Sequence, residues 1–72
     1  MSFVVVNDRA YLWEPGALLD ASGNEVCELV HVLTPTGSAW RVTWRDGSTS
    51  VHLSETTARE AVEATIREHA PA

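Results

Sequence analysis

Ala39-Trp40-Arg41-Val42-Thr43-Trp44-Arg45-Asp46-Gly47-Ser48-Thr49-Ser50-Val51-His52-Leu53 is the stretch that decides the fold. Two alternating runs flank Asp46-Gly47. Asp-Gly in that setting is the strongest short hairpin signal, because a type I′ turn needs positive φ at both central residues. A two-residue loop sets Trp44 opposite Thr49, Val42 opposite Val51, Arg41 opposite His52 and Trp40 opposite Leu53. Side chains alternate across a strand, so two faces separate. Trp40, Val42, Trp44, Thr49, Val51 and Leu53 make an apolar face that suits a core. Arg41, Thr43, Arg45, Ser48, Ser50 and His52 make a donor-rich, mildly basic face.

Downstream of the hairpin, Thr57-Ala58-Arg59-Glu60 fits a capping box, with the Thr57 hydroxyl accepting from the amide three residues on and Glu60 reaching back. Ala58, Ala61, Val62, Thr65, Ile66 and His69 recur at helical spacing, while Arg59, Glu60, Glu63, Arg67 and Glu68 lie mostly opposite. Glu63 and Arg67 stand in the favourable i,i+4 order. His69 near the helix C-terminus suits the dipole, and Pro71 ends the helix. The predicted helix covers residues 56–70 and packs on the tryptophan face, with Trp40 and Trp44 as the core anchors.

Upstream, Glu25 to Leu33 reads as the longest strand. Cys27, Leu29, His31 and Leu33 share one face, and Val26, Glu28, Val30 and Val32 the other, which suggests a central strand covered on both sides. The first 24 residues hold shorter apolar runs, Phe3 to Val6, Tyr11 to Trp13 and Ala17 to Leu19, separated by turn signals at Asn7-Asp8, Pro15-Gly16 and Ala21 to Asn24. They read as irregular short strands or one bent hairpin, with Tyr11 and Trp13 less tied down than the hairpin tryptophans. The whole is one small α+β domain, 1–72: irregular short strands (1–24), a β-meander (25–53) and a helix (56–70). The antiparallel sheet has three to five strands, with the one C-terminal helix packed on one face.

Composition bounds the function. A chain of 72 residues buries only about 60% of its unfolded surface, so the core is thin unless a second copy completes it as a homodimer. Cys27 is the single cysteine, which excludes an intrachain disulfide, and no Cys/His cluster has zinc spacing. The net charge is −5, and all five basic residues are arginine. That balance argues against non-specific nucleic-acid binding, which depends on phosphate neutralisation. The start of the chain lacks a basic region before its short apolar run, so a cytoplasmic protein with no membrane association is expected.

No nucleophile elbow, phosphate loop or HExxH motif occurs. Cys27 and His31 share a strand face, but four residues at ~3.3 Å each separate them by about 13 Å, too far to share a metal or a proton. The expectation is therefore no catalytic residue, no metal and no cofactor. What remains is recognition. Arg41, Thr43, Arg45, Ser50 and His52 are the candidate binding residues.

Trp40-Arg41-Val42-Thr43-Trp44-Arg45-Asp46-Gly47, then Ser50-Val51-His52-Leu53, then Thr56-Thr57-Ala58-Arg59-Glu60-Ala61 resembles the three-stranded-sheet-plus-helix DNA-binding domain of tyrosine integrases and AP2-type transcription factors. In that family a tryptophan-rich hairpin leads into a helix packed on one face of the sheet, and the other face enters the major groove. The resemblance implies that Arg41, Thr43, Arg45, Ser50 and His52 face the groove, with arginine contacts to guanine as the source of specificity. Several short strands with such a hairpin also resemble small SH3- or Tudor-like barrels, which bind peptides or modified side chains. Fold does not imply function. The acidic balance puts a small regulatory protein that acts on a protein partner first, and sequence-specific DNA binding through the hairpin second.

Overall fold

A computed structural model describes residues 2–69. Six strands form one antiparallel sheet in simple meander order: β1 (Ser2–Val6), β2 (Arg9–Glu14), β3 (Ala17–Asp20), β4 (Glu25–Thr34), β5 (Gly37–Trp44) and β6 (Thr49–His52). The helix α1 (Glu55–His69) follows. The α+β class and the single C-terminal helix are as expected, but the sheet has six strands rather than three to five. The difference lies in the first 24 residues. They form three regular strands that continue the same sheet beside β4 instead of folding over it.

The turns explain that regularity. Asn7 (φ 53°) and Asp8 (φ 65°) both adopt positive φ, and Val6 pairs with Arg9. This is the two-residue type I′ loop, formed by residues whose short polar side chains tolerate the left-handed region. Pro15 followed by Gly16 at φ +86° has the order of a type II turn and pairs Glu14 with Ala17.

The β5–β6 hairpin closes differently. Among the described non-glycine residues, only Asn7 and Asp8 have positive φ, so Asp46 does not form a type I′ turn. The Gly47 amide donates to the Trp44 carbonyl and the Trp44 amide to the Ser48 carbonyl, each at 2.9 Å. Arg45-Asp46-Gly47 is thus a three-residue loop, a type I turn followed by a left-handed glycine (φ +92°). The Asp46 carboxylate drives the choice: Oδ1 accepts from the Ser48 amide at 2.9 Å and from the Ser48 hydroxyl at 2.6 Å. The register moves by one. Trp40 now faces His52, Arg41 faces Val51, Val42 faces Ser50 and Thr43 faces Thr49. A one-residue slip turns every β6 side chain over. Ser50 and His52 therefore sit on the tryptophan side, and Val51 is 59% exposed on the other. Leu53, expected in the core, is 88% exposed.

The core lies between α1 and one face of the sheet. Trp13, Leu18, Cys27, Leu29, Val42, Ala58 and Val62 are its buried members. Trp13, expected to be loosely held, is the central aromatic. Trp40 and Trp44, expected as the anchors, are only half-buried and pack against the cluster. A bulge between the β3 and β4 registers, opposite Leu18 and Leu19, lets Val26 join the same side.

The helix begins earlier than the capping box implied. Ser54, not Thr57, is the cap: its hydroxyl accepts from the Thr57 amide at 3.1 Å and its carbonyl from the Ala58 amide. Ala58 and Val62 of the predicted stripe are buried, and Ile66 packs beside them. Two residues expected on the solvent side do otherwise. Arg59 lies 4.9 Å over the Trp13 ring while pairing with Glu55 at 3.8 Å, and Glu63 accepts the Trp13 indole N–H at 3.1 Å. The Arg59 Nε is buried without a hydrogen-bond partner, so the ring face is its main compensation. Residue 70 and Pro71 lie outside the described residues, and so does the side chain of His69.

Candidate binding surfaces

The helix covers only one face of the sheet. Alternation along each strand places Phe3 and Val5, Ala10 and Leu12, Ala17 and Leu19, Val30 and Val32, Ala39, Arg41 and Thr43, and Val51 on the other face, together with Glu14, Glu25 and Glu28; of these, Ala39 is buried. Phe3 is 77% and Val5 67% exposed. Leu12, Leu19, Val30 and Val32 are half-buried by their neighbours in the sheet. No described element packs over this face. Strands β1 to β3 continue the sheet and so widen this face.

Of the five residues picked from sequence, Arg41 and Thr43 lie on this open face. Arg45 lies in the β5–β6 loop. Ser50 and His52 lie on the opposite, helix-bearing face, joined by a 2.8 Å hydrogen bond between Ser50 Oγ and His52 Nε2. The five do not form one patch, and the loop geometry at Asp46 is the reason. Arg41, flanked in the sheet by Val30 and Val51, is the one cation of the strands on this face, with Glu28 and Thr43 beside it on the same side. Open-face residues missed by the sequence reading, Phe3 and Val5 above all, carried a signal. Phe3-Val4-Val5-Val6 is apolar on both sides of a strand, yet only one side, Val4 and Val6, meets the core.

No protein-family model matches this chain, and neither a curated protein nor a solved structure matches it.

A second feature lies on the helix side. Three turns, Asn7-Asp8, Ala21 to Asn24 and Arg45 to Gly47, sit at one end of the meander. The helix returns to that end, where the Asn7 side-chain amide donates to the Arg67 carbonyl at 3.2 Å. Between helix and turns lies an open cleft of about 580 Å³. Tyr11, Val26, Trp44 and Ile66 provide its apolar walls, and Arg9 and Arg45 stand at its mouth.

Cys27 is buried under the helix, and its thiol is pushed up to about 11, chiefly by burial, with the Glu25 charge adding to it. It is a packed core group with no reactive thiolate at neutral pH. His31 is exposed and stacks on Trp40 with centroids 4.9 Å apart. Among the described residues, no group of three or more His, Cys, Asp or Glu side chains is placed to hold a metal. No described helix is long and apolar enough to cross a membrane.

Proposed function

We propose that this chain is a small, non-enzymatic binding protein that acts through a protein partner docked on the open face of the sheet. One observation carries the reading. A six-stranded sheet with a helix on one side only leaves many apolar side chains of the other face in water, with Phe3, Val5 and Val51 each more than half exposed and Glu14, Glu25 and Glu28 set among them. Exposed apolar patches of this kind mark interaction sites. Arg41 within the patch adds a charged anchor of a type enriched at interface centres. The chain's acidic balance favours a partner whose rim is basic. A DNA-binding reading rests on Arg41, Thr43 and Arg45 without Ser50 and His52, and it works against the net charge of −5. Regulation of the bound protein is the role that suits a module this small.

The test compares wild type with a Phe3→Ser/Val51→Ser double variant in affinity capture from nuclease-treated extract, alongside sedimentation of the purified chains. A protein retained by wild type and lost from the variant supports the reading. A dimer that the double variant dissociates identifies the partner as a second copy. Identical capture by both chains counts against it, as does a partner that disappears on nuclease treatment.

A further inference from the structure

We propose that the cleft between the C-terminal half of the helix and the Arg45–Gly47 loop binds a small planar aromatic molecule bearing one anionic group. The inference stands apart from the open-face reading, since none of the open-face residues lines the cleft.

Size comes first. At about 580 Å³ the cleft falls within the roughly 300–1,000 Å³ range of small-molecule sites. Its walls are of the right chemistry. Tyr11 and Trp44 are half-buried aromatics from β2 and β5, and Val26 and Ile66 close the space between them. A flat apolar ring finds two aromatic surfaces and two aliphatic ones there, a setting that favours offset stacking.

Charge is concentrated at the mouth. Arg9 and Arg45 are both exposed and both line the cleft. The ion pair among the described residues joins Arg59 to Glu55, leaving Arg9 and Arg45 with no described carboxylate within salt-bridge distance. Asp46 also borders the cleft and stays ionised, its Oδ1 accepting from the Ser48 amide and hydroxyl, so the two arginines outnumber it by one charge. Two guanidinium groups beside an apolar slot suit an anion attached to a ring, since each can present paired N–H donors to a carboxylate or phosphate.

The walls are also braced before any ligand arrives. The Asn7 side chain ties the β1–β2 turn to the helix end. Thr65 donates to the Ala61 carbonyl at 2.8 Å, which settles its hydroxyl within the helix. The Trp44 amide and carbonyl are both engaged by the loop. A preformed site loses little ordering entropy on binding.

The test is a ¹H–¹⁵N NMR titration with 1-naphthoate and, separately, phenyl phosphate, using 1-naphthalenemethanol and acetate as controls. Expected are saturable shifts at the Trp44 indole and at Tyr11, Arg45 and Ile66, with half-saturation at or below about 1 mM for one of the two anions. That arm decides between carboxylate and phosphate. The neutral alcohol and acetate should each bind at least about tenfold more weakly, and an Arg9→Gln/Arg45→Gln variant of unchanged melting temperature should lose about tenfold in affinity. The proposal is overturned if neither anion saturates, if the alcohol binds as well as naphthoate, or if the shifts centre on Phe3, Val30 and Val51.

Discussion

The two faces of this sheet are built from the same strands and have opposite fates. On the helix side, Trp13, Leu18, Cys27, Leu29 and Val42 are buried against Ala58 and Val62. On the other, Phe3, Val5 and Val51 stand in water. Both faces are largely apolar, so hydrophobicity alone does not say which one is the core. What separates them is the direction in which the chain leaves β6. Ser54 caps a helix that turns back over Trp13, where the indole N–H, Glu63 and Arg59 lock it in place. A domain this small has one helix with which to cover its sheet, and no described element covers the other face.

The largest contrast between the faces is expected from truncation. Trp13→Ala removes the central aromatic, its bond to Glu63 and the surface under Arg59, and should cost about 3–5 kcal/mol in urea unfolding. Phe3→Ala on the open face should stay within about 0.5 kcal/mol. Comparable losses at the two positions would mean that the open face is covered in solution. Gly47→Val comes next, at about 1–3 kcal/mol. Its φ of +92° is hard for a β-branched residue, and nothing lies within 4 Å of the added Cβ, so the cost is backbone strain alone. A neutral result would contradict the three-residue loop that assigns β6 side chains to their faces.

Cys27 tests the covered face by pH. Its thiol is raised to about 11 in the folded chain, above the value in the unfolded one. The folded state therefore holds its proton more tightly. Its contribution to stability is fully present below the ordinary thiol range and is lost as pH rises through that range towards 11. At pH 8 the folded chain should react with a thiol reagent far more slowly than the urea-unfolded chain, by a factor of about 100 from thiolate population alone. Equal rates would place Cys27 outside the core. The smallest effect is expected from Val51→Thr, within about 0.5 kcal/mol, because Val51 is exposed. In the register read from the Asp-Gly signal alone, the same change would place a hydroxyl in the core and cost more.

Much of this was legible in the sequence. The hairpin at 39–53, the long central strand from Glu25 and the C-terminal helix all follow from local pattern, since alternation and helical spacing are properties of neighbouring residues. The turn positions at Asn7-Asp8, Pro15-Gly16 and Asp46-Gly47 were equally plain. The loop types were not. Asn7-Asp8 forms the type I′ turn and Asp46-Gly47 does not, because the Asp46 carboxylate finds the Ser48 amide and hydroxyl. That single hydrogen-bonded loop moved Ser50 and His52 away from Arg41 and Thr43 and split the candidate site.

The sequence by itself determined the class of fold, the order of its elements and the lack of a disulfide. It could not rank the three tryptophans, because Trp13 owes its burial to a helix some 50 residues away. Only the tertiary structure decided which apolar face is core and which is surface. The same holds for the cleft, whose Tyr11, Trp44, Arg9 and Arg45 meet at one end of a meander. Such juxtapositions depend on register and on where the helix lands, and neither is a local property of the chain.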